Sequence, residues 1–324
     1  MHAPDFWHRD GWLARALSPL SPVYGWAVRR HLEDAEEFRP AIPVICVGNI
    51  IAGGAGKTPV VVALARLLKT AGRQVHLLTR GYGGTEVGPR AVDLDRHDAA
   101  RVGDEALLLA SEAPTWVARW RPDGAAATTA MGADIIVMDD GFQNGSLSKD
   151  LSLVVVDGSY GFGNGRVMPA GPCRESPAHG LRRADAVVLM GEDSCDVSRY
   201  FGDLPVLHAH LRPGPEAEAL HGREVIAFAG IGRPGKFFAT LDSCGASLVA
   251  TQDFPDHHPY SRAEIEELLA EAEAAGALLA TTAKDAVRIP ADLRRHVTVV
   301  TVALEWSDHS LLARLLDRVG VVVP

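Results

Sequence analysis

The feature that most limits how this chain can fold is an apolar run that stops at a glycine. Val44-Ile45-Cys46-Val47-Gly48 reads as a buried strand, and Asn49-Ile50-Ile51-Ala52-Gly53-Gly54-Ala55-Gly56-Lys57-Thr58 follows it at once. An apolar pattern with helical spacing then predicts a helix over Lys57–Thr70. Strand, glycine-rich turn and helix in this order make a phosphate-binding loop. Glycines let backbone N–H groups curl around phosphate oxygens, and the helix N-terminus adds its partial positive charge. Gly53, Gly54, Ala55 and Gly56 form the expected cradle. Lys57 is expected to bridge the β- and γ-phosphates of a nucleotide, and Thr58 to ligate magnesium. The usual first glycine of such a loop falls at Ile51, with Gly53 and Gly54 supplying flexibility one or two residues later. A plain strand-to-helix turn needs one glycine and no lysine.

From Pro43 onward, strand-like runs alternate with helical patterns, which predicts an α/β fold with a mostly parallel sheet covered on both faces. Strands are expected at Val75–Thr79, Thr115–Ala118, Ile135–Met138, Leu151–Val156 and Ala186–Met190, and a helix at Asp104–Ser111. The stretch from Gly158 to Arg183, rich in Gly, Pro and Arg, is too long for an idle loop and is expected to be functional. A composition shift over residues 211–222 reads as a linker between a core spanning 41–210 and a smaller α/β unit spanning 223–324. In that smaller unit, strands are expected at Glu224–Ala229, Ser247–Thr251, Leu278–Thr281 and Val297–Val302, with a final helix over Ser307–Val319.

Ile135-Ile136-Val137-Met138-Asp139-Asp140-Gly141-Phe142-Gln143 places two carboxylates at the C-terminal end of a buried strand, the edge at which open parallel sheets bind ligands. Asp139 fits a magnesium-holding role, although Asp-Asp-Gly is also good turn chemistry. Asp104 and Glu105 precede an apolar helical run, where an N-cap and a first-turn acid are the ordinary reading. Phe254-Pro255-Asp256-His257-His258-Pro259 holds the paired histidines; they read either as metal ligands or as a histidine working with a carboxylate on a proton.

The formal net charge of -9 argues against general nucleic-acid binding, which needs a basic surface. Cys46, Cys173, Cys195 and Cys244 are scattered, so neither a zinc site nor a disulfide framework is expected, and a reducing cytoplasm fits. The N-terminal residues lack the order of a signal peptide, and no apolar run approaches the roughly 20 residues of a spanning helix. Residues 1–40 are expected to form an amphipathic helical arm. Within it, Trp12, Leu17, Leu20, Val23 and Trp26 beside Arg15, Arg29 and Arg30 read either as a segment lying on a bilayer or as a helix packed on the protein's own core.

Several motifs together resemble one family, the tetraacyldisaccharide 4'-kinases of lipid A biosynthesis. They are Gly48-Asn49 with Gly53-Gly54-Ala55-Gly56-Lys57-Thr58-Pro59, Thr79-Arg80-Gly81-Tyr82-Gly83-Gly84, Gly103-Asp104-Glu105 and Asp139-Asp140-Gly141-Phe142-Gln143. Pro169-Ala170-Gly171-Pro172-Cys173-Arg174-Glu175, Arg183-Ala184-Asp185, Gly230-Ile231-Gly232-Arg233-Pro234, Phe254-Pro255-Asp256-His257 and Thr281-Thr282-Ala283-Lys284-Asp285 follow in the same order. The resemblance implies transfer of the ATP γ-phosphoryl group, with Mg2+, to the 4'-hydroxyl of a tetraacylated glucosamine disaccharide 1-phosphate, giving lipid IVA. It implies a peripheral enzyme on the cytoplasmic face of the inner membrane and a phosphate-loop core with a smaller C-terminal domain, the active site lying in the cleft between them. No protein partner is suggested.

By the same resemblance Asp104 is the catalytic carboxylate and His257 its partner. Glu105, Asp139, Asp140 and Gln143 are candidates for the surroundings of magnesium and acceptor, the metal side taking Asp139, Glu105 and Gln143. Arg174 would grip either the γ-phosphate or the acceptor's 1-phosphate. Arg80, Tyr82, Asp140 and Glu175 are expected toward the acceptor. Two other readings share the phosphate loop: a kinase of a water-soluble sugar or nucleoside, and a non-catalytic nucleotide switch. The switch usually carries an Asn/Thr-Lys-x-Asp motif, and in Thr282-Ala283-Lys284-Asp285 the lysine directly precedes the aspartate, so the spacing fails.

Overall fold

Apolar runs with no polar alternation need cover on both faces, and the chain provides it. The structure, a computed structural model, describes residues 4–323. Strands β1 (Val44–Gly48), β2 (Val75–Thr79), β3 (Arg90–Ala91), β4 (Thr115–Val117), β5 (Ile135–Asp139), β6 (Leu151–Asp157), β7 (Ala186–Met190) and β8 (Val206–Pro213) lie in one sheet with a late strand, β13 (Val302–Trp306). Its order is β13-β8-β7-β6-β1-β5-β2-β4-β3. All neighbours are parallel except the two edge pairs, β13 with β8 and β3 with β4. Every residue of β1, β5, β6 and β7 is buried.

A second, all-parallel sheet has the order β10-β9-β11-β12, from β9 (Glu224–Ala229), β10 (Ser247–Asp253), β11 (Leu278–Thr282) and β12 (Thr298–Val300). The α/β architecture expected from the alternating pattern is therefore present.

Two boundaries differ from the sequence expectation. The expected C-terminal unit at 223–324 does not keep its last stretch. The single strand anticipated at Val297–Val302 divides: β12 stays in the smaller sheet, while β13 returns to the larger one and runs antiparallel to β8, Val302 opposite Pro213 and Trp306 opposite Ala209. The helix His309–Asp317 then buries Leu312, Leu315 and Leu316 in the larger core. That return covers the edge of β8, whose backbone groups would otherwise be unpaired. The expected linker at 211–222 is likewise structured. It holds the end of β8 and a helix Pro215–Glu218, and Ala217 and Leu220 pack into the core of the smaller sheet. Composition suggested a linker because few of its residues are large and apolar, but two small contacts suffice to seat it.

Strand β1 is central, with β5 on one side and β6 on the other, so successive crossovers leave it in opposite directions. The crevice at such a reversal, beyond the carboxyl ends of the strands, is where open sheets bind ligands. Close packing there is tight: a Cβ on Gly48 would lie 2.5 Å from the Phe142 Cβ, so only glycine lets the loop after β5 cross the end of β1.

The N-terminal arm comprises the helices Trp12–Leu17 and Ser21–Glu33. It is tied down by polar contacts to the 158–183 stretch, with Ser21 Oγ donating to the Val167 carbonyl at 2.6 Å and Arg166 Nε donating to Asp10 at 2.9 Å. Ala14 is buried and Leu13 and Leu17 partly so, but Leu20, Val23 and both tryptophans of the helices stay outside, Trp12 at 80% and Trp26 at 58% exposure. Among the described residues no helix is long and apolar enough to cross a membrane.

Candidate active site

The loop between β1 and the helix Lys57–Thr70 is shaped by the segment from Pro169 to Glu175. Ala52 N–H donates to the Pro172 carbonyl at 2.8 Å, Arg174 N–H donates to the Ile50 carbonyl at 2.7 Å, and Ile51 bridges Cys173 as in a short antiparallel pair. These contacts explain why Ile51 stands where such loops usually have glycine: the residue is buried and extended, as β-branched residues prefer. Left-handed backbone is needed further on, at Gly53 (φ 112°) and Gly56 (φ 85°), the latter capping the helix that Lys57 opens. Thr58 lies half-buried in the first turn of that helix.

Lys57, expected to reach phosphates, lies 3.4 Å from Asp140 Oδ1. Arg174 approaches the same carboxylate with both terminal nitrogens, at 3.1 and 3.3 Å. Burial alone would raise the proton affinity of Asp140, but Lys57 and Arg174 prevail and hold it down to about 2. Asp140 itself has φ 49°, a left-handed conformation uncommon for aspartate and found chiefly where the surroundings impose it. Gln143 is held at both ends: its carbonyl accepts from Arg174 at 3.2 Å, and its amide donates to the Asn49 carbonyl at 2.9 Å and to Glu175 at 3.1 Å. It thereby braces the Asp139–Gln143 turn against the Pro169–Glu175 segment, with one lone pair of its carbonyl still open. Glu175 is buried and paired with Arg183.

Asp139 differs sharply from its neighbour. It is 1% exposed, and neither carboxylate oxygen has a hydrogen-bond partner among the described residues. Burial and the negative charge of Glu105 push its proton affinity well above the usual carboxylate range, against the pull of Lys57. A buried carboxylate with both oxygens free, beside a phosphate loop, fits a hard divalent cation. No group of three or more His, Cys, Asp and Glu side chains is spaced to hold a metal among the described residues. Magnesium takes one or two carboxylates and fills its shell with water and phosphate oxygens. Arg121, buried under this cluster and donating to the Ala118 carbonyl at 2.5 Å, was not signalled by the sequence; its only cue is a position at the start of the helix Arg121–Ala130.

The second half of the site comes from the smaller sheet. His257 Nδ1 lies 2.9 Å from Asp104 Oδ2, joining residues 153 positions apart. Asp104 begins the helix Asp104–Ala110 and is buried, and its Oδ1 accepts from the Glu105 N–H at 2.9 Å. Burial pushes its proton affinity up, but the hydrogen bond with His257 and the charges of Lys284 and Arg288 outweigh this and hold the carboxyl below its ordinary value. The helix start is set by backbone packing: a Cβ on Gly103 would lie 2.4 Å from the Tyr82 carbonyl oxygen, so the Gly81–Gly84 loop needs glycine beneath it. Tyr82 is 64% exposed, its ring 5.5 Å from the His257 ring, while Arg80 is exposed. His257 is also left-handed, at φ 61°. Its neighbour His258 turns away to Glu264 at 2.9 Å and stacks on Phe254, so the two histidines serve separate partners and the proton-pair reading fits His257.

A further contact ties the halves. Asp157 at the end of β6 meets Arg233 at 2.7 Å and Lys236 at 2.6 Å, and Arg233 also donates to the Gly54 carbonyl at 3.0 Å. The Gly230–Lys236 turn thus lies directly over the phosphate loop.

A phosphate loop at a strand-order reversal, a partnerless buried carboxylate beside it and a carboxylate–histidine pair across a cleft define a phosphate-loop α/β protein of the nucleotide-dependent kinase type. Comparison with known proteins narrows this. The family model described as tetraacyldisaccharide-1-P 4'-kinase matches residues 13–320, and the chain belongs to that family. It is 69% identical over 324 residues to a tetraacyldisaccharide 4'-kinase of Paramagnetospirillum magneticum, covering 99% of each chain. It is 52% identical over 323 residues to one of Rhodospirillum rubrum, covering 98% of each. The fold matches a crystal structure of LpxK from Aquifex aeolicus in complex with ATP, with TM-score 0.78 and 28% identity over 95% of this chain and 99% of that one.

The lone charge on Asp139 predicts a test. Because burial raises its proton affinity, its ionisation disfavours the metal-free fold. That penalty is absent below the ordinary carboxylate range and grows as pH rises through it. Asp139→Asn should therefore melt higher than the wild type in EDTA, by the equivalent of about 1–3 kcal/mol at neutral pH. The gap should close toward pH 4, and magnesium should stabilise only the wild type. Thermal melts across pH with and without magnesium check this; a lower-melting Asp139→Asn protein at neutral pH contradicts it.

Proposed function

We propose that this chain transfers the γ-phosphoryl group of ATP to the 4'-hydroxyl of a tetraacyldisaccharide 1-phosphate, the step that yields lipid IVA in lipid A biosynthesis. The observation that carries the reading is the Asp104–His257 hydrogen bond, formed between two sheets at the mouth of the phosphate loop. Family membership and the ATP complex of the Aquifex relative support it. A nucleotide switch has no use for a paired acid and histidine there.

In this reading the amides of Gly53–Thr58 and the Lys57 ammonium hold the β- and γ-phosphates. Lys57 and Arg174 converge on Asp140, so a phosphate entering the loop meets two cations whose positions are already set. Asp139, Thr58 and Glu105 would hold magnesium, which would neutralise phosphate charge. Asp104 accepts the acceptor hydroxyl's proton late, as the phosphorus–oxygen bond forms, because a carboxylate is a weak base beside a sugar hydroxyl. His257 orients it. On the acceptor side, a cavity of about 350 Å³ lies between the helix Ser21–Glu33 and the 166–179 segment, lined by Ser21, Gly25, Arg29, Arg166 and Glu175. Tyr82 and Arg80, exposed at the other rim, are available to a sugar. Two units, 41–210 with the returning C-terminal strand and helix, and 223–300, would close on the acceptor.

The chain acts at the cytoplasmic face of the inner membrane in this reading, resting on the arm. Polar contacts fasten the arm to the core while Trp12, Leu20, Val23 and Trp26 remain exposed beside Arg15, Arg29 and Arg30. Such a surface suits an anionic bilayer interface.

Purified protein with ATP, magnesium and a panel of acceptors should phosphorylate the tetraacyl disaccharide 1-phosphate and leave free sugars nearly untouched. Comparable turnover on free glucosamine would favour the water-soluble kinase instead. In the same assay Asp104→Ala and His257→Ala should each lower kcat by about 10²–10⁴ with little change in KM, and the double variant should be barely worse. Multiplicative losses would separate the pair. The full chain should sediment with anionic liposomes and lose most of that binding when residues 1–30 are removed; equal sedimentation would place the membrane contact elsewhere.

A further inference from the structure

The ring of His257 is held at both nitrogens, and the second contact has no role in the account above. Opposite the Asp104 bond, Nε2 lies 3.4 Å from the Lys284 ammonium. Lys284 belongs to the short helix Ala283–Ala286 that follows β11 directly. The base of that helix is rigid: Thr282 caps it, and the carboxylate of Asp285, wholly buried, accepts from the Gly230 N–H at 2.8 Å and the Tyr260 hydroxyl at 2.8 Å. The Lys284 side chain is 24% exposed and stands among carboxylates, 3.5 Å from Glu105 and 3.8 Å from Asp256. Around the imidazole the charged groups are therefore Asp104, Asp256 (3.7 Å from Nε2) and Lys284, with Arg288 3.7 Å behind Asp104 and the Tyr82 ring on one face.

An ammonium has three donors and no acceptor, so a ring nitrogen facing it must offer a lone pair. If Nε2 is the acceptor, the single proton of a neutral imidazole sits on Nδ1, where it donates to Asp104. We propose that Lys284 is a positioning residue that fixes His257 as the Nδ1–H tautomer, so that the histidine permanently donates to Asp104. The consequence is chemical. Asp104 Oδ2 is stabilised by His257 and Oδ1 by the Glu105 N–H, and the second lone pair of each oxygen is left for the acceptor's hydroxyl proton. Without Lys284 the nearest polar group to Nε2 is the Asp256 carboxylate. A ring flanked by carboxylates on both sides carries two protons, and an imidazolium beside Asp104 weakens it as a proton acceptor. Lys284 thus keeps the second carboxylate from claiming the ring.

This inference rests on the kinase reading for its consequence but not for its test. Nitrogen NMR of the full chain labelled at histidine distinguishes a bare from a protonated ring nitrogen without any turnover. The wild type should show His257 with a bare Nε2 and a protonated Nδ1. Lys284→Met should lose the bare-nitrogen signal, and Lys284→Arg, which also presents only donors, should keep it. With the lipid acceptor, Lys284→Met should lower kcat about 10- to 100-fold, part of what a well-poised base contributes, with KM for ATP nearly unchanged. A protonated Nε2 in the wild type overturns the proposal even if the methionine variant does not fold, and so does a bare Nε2 that survives in Lys284→Met. Neither result touches the kinase reading, which stands or falls on turnover of the wild type.

Discussion

A charged group held away from water must find an opposite charge or a hydrogen bond, and the cleft of this protein contains many such groups. Asp104, Asp139 and Arg121 are buried, Asp140 is partly exposed, and Lys57, Arg174, Lys284 and Arg288 are largely buried. They are compensated in a chain of pairings: Lys57 and Arg174 on Asp140, His257 and Arg288 on Asp104, Lys284 on Glu105. Such networks cost more to assemble than an apolar core of equal size, so their value lies in geometry. Charges fixed in advance need no reorganisation when phosphate charge shifts. Asp139 is the exception, both oxygens unpartnered, and it sits where a cation would complete the balance.

The chain crosses between its sheets twice, from β8 to β9 and from β12 back to β13, so the smaller sheet hangs on two connections. The cleft is spanned by side chains as well: Asp157 with Arg233 and Lys236 at one end, Asp104 with His257 at the other. A hinge with two strands of chain has fewer ways to open than one with a single linker, which favours a return to the same register. That matters for a dyad whose members must meet within hydrogen-bond distance, since a displacement of about 1 Å already costs rate.

Much of the larger sheet was legible. Val75–Thr79 and Ala186–Met190 were expected with the bounds they have, because continuous apolar runs between turn residues leave little choice. The edges were less so. β8 alternates and is half exposed, and β13 lies in a stretch whose sequence does not say which sheet will accept it. Glycine spacing and an acidic strand end singled out Lys57, Asp139 and Asp140, and the fold does bring Lys57 to Asp140 at the end of β5. The bracing contacts of Gln143 were not readable, because its amide looks the same whether it faces a metal or holds two loops together. Arg121 and Asp157 had no motif to announce them, and Arg233 lay in one that gave it no role.

The amino-acid sequence by itself determined the phosphate loop, the parallel sheet and the family, since these depend on local backbone preferences and on motifs that stay contiguous along the chain. The pairing of His257 with Asp104 was implied by resemblance and given its geometry by the fold; only the tertiary structure decided that Lys284 faces the other side of the ring and that the last strand returns to the first sheet. Those contacts join positions far apart along the chain or hang on which nitrogen faces which charge. No one-dimensional spacing encodes either; folding chooses them by burying apolar faces first and leaving each charge to the partner within reach.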